Sequence, residues 1–349
     1  MMNRKVTIIA LLVVVIAAVF FIGNWSMAPR QSGEIEKDTL YVASYAGQYE
    51  ETLKKNVHDF EQENNCTVIF VPISAMDAVI KVRAGERLDV VHLDPIWSFR
   101  GEAEGLFARL DDTIVSNMKE LYPIAILSEI TIAPNIGAYG IAYNPKFVSP
   151  APDSWNIFLD QKYKGRIGMR SFMADSIELL VMMAKINGGN EDNIDPGFEK
   201  MSEVGKNIHT WWKKHPECQE LFQRQEIYLS LWTDGRTAGA KSQGTNVEFA
   251  LPKEGSFPLV STVNVIEKSP VKKLAMKYVN FLLSVQSGEI MADQMGYFPT
   301  NKNVKLTRET QAKIAYTPEN AYDVKIADWK KILPKMDEWS ERWEREIIR

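Results

Sequence analysis

From Asp38 onward the chain alternates short apolar β-prone runs with amphipathic helical ones, and this alternation is the feature that most restricts its fold. Leu40–Ala43 reads as a strand that opens into a loop at Ser44, Tyr45 and Gly47. Leu53, Val57 and Phe60, at helical spacing, place a helix over Glu51–Asn64, and Cys66–Pro72 reads as the next strand. The unit then repeats, with a helix over Asp77–Ala84, a strand over Asp89–Leu93 and, after Asp94-Pro95, a helix starting near Ile96. Strands separated by helices build a mostly parallel sheet, whose ligands gather beyond the carboxyl ends of the strands. Ser44, Tyr45 and Asp94 are therefore expected at one rim.

Ile130–Asn144 is apolar, β-prone and punctuated by glycine, and a proline-rich turn follows over 145–153. It reads as extended chain crossing into a second lobe built from a strand at Arg166–Met169, helices at Asp175–Ile186 and Phe198–Lys213, and a strand at Ile227–Leu231. Val247–Ala250 and Ser261–Ile266 are expected to carry the chain back, and the helix Val271–Leu283 follows. The expected division is 38–132 with 256–305 as lobe 1, 133–255 as lobe 2 and 306–349 as a C-terminal helical layer. About 320 residues after position 28 suit two domains better than one core.

Arg4 and Lys5 precede a run of 18 uncharged residues, 6–23, and then Ser26-Met27-Ala28, the order of a secretory signal. Residues 1–28 are read as a signal peptide or an uncleaved membrane anchor, since the run approaches the roughly 20 residues that span a bilayer. Without Arg4 and Lys5 there are 39 basic against 45 acidic residues, a net charge of −6, and no basic block that would suit nucleic acid. Cys66 and Cys218 fall in different expected lobes and are read as unpaired buried thiols. No nucleophile elbow, metal-ligating His or Cys pair, or Walker-type loop is present, and His58, His92, His209 and His215 lack metal-ligand spacing. Neither a catalytic role nor a cofactor or metal is expected. His209 and His215, flanking Trp211-Trp212, are read as packing or surface residues of a helix.

Four segments carry a family resemblance: DVVHLDPIWSFRGEAEGLFARLD (89–111), SWNIFLDQKYKGRIGM (154–169), LSLWTDGRTAGAKSQG (229–244) and the stretch from PKEGSFPLVSTVNVIEKSP to MADQMGYFPTN (252–301). In this order they resemble the extracytoplasmic solute-binding proteins of ABC importers, in the branch that includes the spermidine/putrescine-binding proteins, over about Leu40–Asn301. The resemblance implies an α/β, two-lobed periplasmic-binding-protein fold of type II-like form, with a parallel-rich central sheet in each lobe and paired crossover strands as hinge. It implies a monomer outside the cytoplasm that captures a small organic cation such as putrescine or spermidine between its lobes and passes it to a membrane permease. Ligand contacts that favour the closed state would drive the closure.

Carried over residue by residue, the resemblance places an acidic pair at Asp175 and Glu178 and aromatic walls at Trp232, Tyr297, Trp97, Tyr45 and Tyr49. Carboxylates there would make charge-assisted bonds to ammonium groups, and each aromatic–cation contact would contribute about 0.5–2 kcal/mol. The family's main carboxylate falls on Ser261, and the aromatic before it on Leu259. Asp94 and Asp234 are candidate replacements. Arg170 and Arg236 point instead to an anion, because guanidinium matches carboxylate or phosphonate. Asp175 also reads as a helix cap, with Glu178 three residues on. Alternative cargoes are therefore an anionic or zwitterionic solute, or ferric ion, although no Tyr-Tyr pair is present for iron. A membrane-tethered sensor or scaffold is the alternative from another functional class.

Overall fold

β1 (Asp38–Ser44) leads through the Tyr45–Gly47 turn into helices α1 (Gln48–Asn56) and α2 (His58–Asn64), and β2 (Cys66–Pro72) follows. Gly47 takes a φ of 84°, a left-handed conformation that glycine adopts without strain, and so lets the helix start directly at the strand's end. Then come α3 (Ala75–Arg83), β3 (Val90–Leu93) and α4 (Pro95–Ala103). Ser74 caps α3 by accepting the Asp77 N–H, and Pro95 opens α4, where no backbone donor is needed. This computed structural model describes residues 37–172, 174–317 and 327–348. They fall almost wholly within one compact unit, Thr39–Arg349.

The long β4 (Ile132–Tyr143) carries the chain into a second set of elements: β5 (Ile167–Arg170), α5 (Ala174–Ile186), α6 (Asp195–Gly205), β6 (Ile208–Trp212), α7 (His215–Gln223), β7 (Leu229–Thr233) and α8 (Asp234–Ser242). β8 (Glu248–Ala250) and β9 (Phe257–Val265) return it, and α9 (Lys272–Leu282), α10 (Val285–Met295), β10 (Phe298–Pro299), α11 (Arg308–Gln311), α12 (Trp329–Ile332) and α13 (Met336–Glu346) complete the described chain. All ten strands join one sheet whose main path runs β2-β1-β3-β9-β4-β7-β5-β6. Its wings are parallel where β1 meets β3 and where β5 meets β6 and β7. Its centre is antiparallel, β9 and β4 pairing with each other and with the strands beside them.

Each wing has its own apolar core. Leu40, Val42, Phe60, Val263 and Tyr278 are buried together in the first, and Trp155, Phe158, Met169, Leu180 and Phe198 in the second. Trp329, Ile332, Trp339, Trp343 and Ile347 of the last helices complete the second core, where Ile96 of α4 joins them.

The helix expected over Glu51–Asn64 starts three residues early and is interrupted at Val57, which terminates α1 with α-type dihedrals. The expected helix Phe198–Lys213 is corrected more deeply. It ends at Gly205, and Ile208–Trp212 is a strand, because a β-prone Ile-His-Thr-Trp-Trp run gains more by pairing with β5 than by continuing a helix. Asp175 lies inside the first turn of α5 and does not precede it. Cys66 and Cys218 are both buried thiols, not joined in a disulfide. The expected signal or anchor segment and part of the C-terminal layer lie outside the described residues; among those described, no helix is long and apolar enough to cross a membrane.

Candidate functional site

Six strands end at a single cavity. The residues after β1 (Tyr45–Gln48), β2 (Ile73, Ser74), β3 (Asp94), β6 (Lys213, Lys214, His215) and β7 (Arg236), together with Arg170 at the end of β5, line a space of about 720 Å³. Its floor is the antiparallel centre of the sheet, through Asn135 and Tyr139 of β4, Leu259–Ser261 of β9, and Tyr297 just before β10. Convergence at the carboxyl ends follows from the parallel wings, and the volume lies within the roughly 300–1,000 Å³ typical of small-ligand sites.

On the first-wing side the groups are neutral or acidic. Tyr45 donates its hydroxyl to Asp94 Oδ1 at 3.0 Å. Tyr49 packs edge-on against Tyr45, with its hydroxyl 2.9 Å from Ser261 Oγ and 3.1 Å from His92 Nδ1. Burial drives the His92 imidazole down to about 3, so this network carries no positive charge near neutrality. Burial also raises the Asp94 carboxyl above its ordinary range, while Arg170 and the Tyr45 hydrogen bond pull it back. Asn135 Oδ1, buried on the floor, has no hydrogen-bond partner among the described residues.

The second-wing side is cationic. Arg170 reaches Asp175 Oδ1 through Nη1 at a long 3.5 Å, and its buried Nε has no partner among the described residues. Burial opposes the Arg170 charge, but Asp175, Tyr139 and Asp94 around it hold the guanidinium more firmly protonated than usual. Arg236 follows the Thr233 cap of α8 and makes no ion pair among the described residues. Lys213 and Lys214 add two exposed ammonium groups. The lining therefore holds four cations, all contributed by the second wing, and one carboxylate, Asp94, contributed by the first, and Arg170 lies within electrostatic reach of Asp94.

Of the residues singled out from sequence, Tyr45, Tyr49, Asp94, Ser261, Tyr297, Arg170 and Arg236 come together here. The others do not line the cavity. Ser44 is buried behind the rim, its carbonyl accepting the Ile73 N–H. Trp97 packs between the wing cores with Arg100 over its ring. Asp175 and Glu178 stand behind Arg170, and burial followed by their mutual repulsion pushes the Glu178 carboxyl well up. Trp232 points to the opposite face of β7 from its neighbour Thr233, stacking on Phe222. Asp234 lines a separate cavity of about 580 Å³ and accepts the backbone N–H groups of Gly235 and Ala315.

Asn135, Tyr139, Lys213, Lys214 and His215 were missed. The first two, with Gly137 between them, share one face of β4 by strand alternation. The last three were hidden by the helical reading of β6. Among the described residues no group of His, Cys, Asp and Glu could hold a metal ion.

A family model described as bacterial extracellular solute-binding protein matches residues 55–318. The chain is 24% identical to a gamma-aminobutyric acid-binding protein of Pseudomonas aeruginosa over 69% of its own length and 70% of that protein's. It is 21% identical to the spermidine/putrescine-binding periplasmic protein of Escherichia coli over 78% and 82%. A crystal structure of an ABC transporter substrate-binding protein from Bradyrhizobium japonicum superimposes with a TM-score of 0.78, covering 89% of this chain and all of that one at 20% identity. The fold it shares is two-lobed.

Proposed function

The chain belongs to the bacterial extracellular solute-binding proteins, the capture components of ABC transporters, and we propose that its cargo is a small zwitterion carrying a carboxylate and an amine. One observation carries this reading: the charge of the cavity lining, with Arg170, Arg236, Lys213 and Lys214 contributed by the second wing and Asp94 with Tyr45 by the first. A carboxylate would pair with the guanidinium groups, which match its geometry, while an ammonium group would sit against Asp94 and the Tyr45 and Tyr49 rings. The relative that binds gamma-aminobutyric acid is in keeping with this polarity. The lobes divide as 38–132 with 256–305, and 133–255, with β4 and β9 as the crossovers about which closure takes place.

A polyamine is the second reading, supported by the relatives named for spermidine and putrescine and by the acidic cluster of Asp94, Asp175 and Glu178. Against it stand the four cations, which would repel a ligand of two or three positive charges, and the burial of Asp175 and Glu178 behind Arg170. Mass spectrometry of small molecules released on denaturation, followed by calorimetry with 4-aminobutyrate, glutarate, putrescine and spermidine, separates the two. Binding of amines alone would overturn the zwitterion reading.

A further inference from the structure

His215 begins α7, immediately after Lys213 and Lys214, and its ring lines the cavity. Its Nδ1 lies 2.9 Å from the indole Nε1 of Trp232. An indole N–H only donates, so Nδ1 must offer a lone pair, and the single proton of the neutral ring then sits on Nε2. Trp232 holds this arrangement because it is itself immobilised, 1% exposed and stacked on Phe222. Nε2 has no hydrogen-bond partner among the described residues, whereas Nδ1 is occupied.

We propose that His215 is a specificity-determining residue of the cavity: a neutral imidazole, fixed by Trp232 as the Nε2–H tautomer, that donates to the solute's carboxylate alongside Arg170 and Arg236. This rests on the zwitterion reading and adds a reason for it. A ring locked in this form cannot accept from an ammonium group, so His215 adds a donor to a wall already rich in cations and favours a carboxylate over an amine there.

The charges around His215 favour the same state. Lys213 and Lys214 precede it, Arg170 faces it from β5 and Arg236 from α8, while Glu217, two residues on in α7, is engaged by the backbone N–H groups of Lys213 and Lys214. Burial, then Arg236 and Arg170, keep the imidazole well below its ordinary range.

The chain has four histidines, so long-range proton–nitrogen spectra of histidine-labelled protein, with the His215→Ala variant giving the assignment, read the tautomer directly. The expected result is an Nε2–H ring with no imidazolium between pH 8 and 5, whose Nε2 signal moves when 4-aminobutyrate is added. In Trp232→Phe the ring should lose its single tautomer and begin to titrate within that window. His215→Ala should weaken 4-aminobutyrate binding about tenfold, and His215→Gln, which restores an N–H donor, should recover part of that loss. An Nδ1–H tautomer, an imidazolium at pH 6, or carboxylate binding that leaves Nε2 unmoved would overturn the donor role alone. Calorimetry showing that only amines bind would overturn the zwitterion reading and this proposal with it.

Discussion

Arg236→Gln should weaken binding of 4-aminobutyrate roughly 10- to 100-fold while leaving the fold intact. The guanidinium is half-buried on the cavity wall and has no ion-pair partner among the described residues, so its removal strands no buried charge. The stability change should stay within about 0.5 kcal/mol, as for other substitutions away from buried networks. A hydrogen bond to a charged group contributes about 1.5–3 kcal/mol, which at about 1.4 kcal/mol per decade gives the stated loss. Asp94→Asn, on the first wing, supplies the control: a zwitterion loses affinity in both variants, whereas a polyamine loses it only in Asp94→Asn and gains in Arg236→Gln. Calorimetry with 4-aminobutyrate and putrescine, beside a denaturant melt of each variant, gives both quantities. Unchanged 4-aminobutyrate affinity in Arg236→Gln, or weaker putrescine binding there, would refute the assignment of the cationic wall.

Arg170→Met leaves Asp175 and Glu178 buried without a cation; with Arg170 19% exposed, the cost should fall toward the lower end of roughly 3–5 kcal/mol. Denaturant melts should show that loss shrinking as pH falls, since both carboxyls have raised pKa values and take up protons. Gly137→Ala would bring a Cβ to 2.9 Å from Asp234 Oδ1 and 3.0 Å from the Tyr297 ring; an overpacking cost of about 1–3 kcal/mol and weaker solute binding should follow, the first by melts and the second by calorimetry. Burial raises Asp234 from 3.8 to about 7. The native state therefore holds a proton that the unfolded chain releases, and this group's contribution to stability is full below about pH 4 and declines as pH rises toward 7. Asp234→Asn should flatten that part of the stability–pH curve; an unaltered slope would show that the carboxyl is ionised throughout.

The wings were legible because strand–helix alternation survives in the residues themselves: Leu40–Ala43, Cys66–Pro72 and Asp89–Leu93 each lie on or within one residue of a strand. β6 was misread: Gly205 and the β-prone Ile208–Trp212 run mark a helix end and a strand that pairs with β5, but the preceding helical pattern was carried through them. That one misreading concealed three cavity residues, Lys213, Lys214 and His215. Tyr45 and Asp94 were placed at the rim because they immediately follow strand ends, a rule of chain order. Trp232 and Asp175 were misplaced because chain order gives the end of an element but not the face a side chain takes. Trp232 lies one residue short of the end of β7 and so turns away from the cavity, where it holds His215 from behind. Asp175 lies one residue into α5 and turns toward Arg170.

The tryptophans of α12 and α13 have a consequence for how the protein is made. Trp329, Trp339 and Trp343 fill the interior of a wing many of whose other members, among them Trp155, Phe158 and Phe198, are synthesised well over a hundred residues earlier. While the ribosome is still extending the chain, that interior lacks several of its largest plugs, each contributing on the order of 3–5 kcal/mol when compared with alanine. Final tightening of this wing must therefore wait until the last helices have been made.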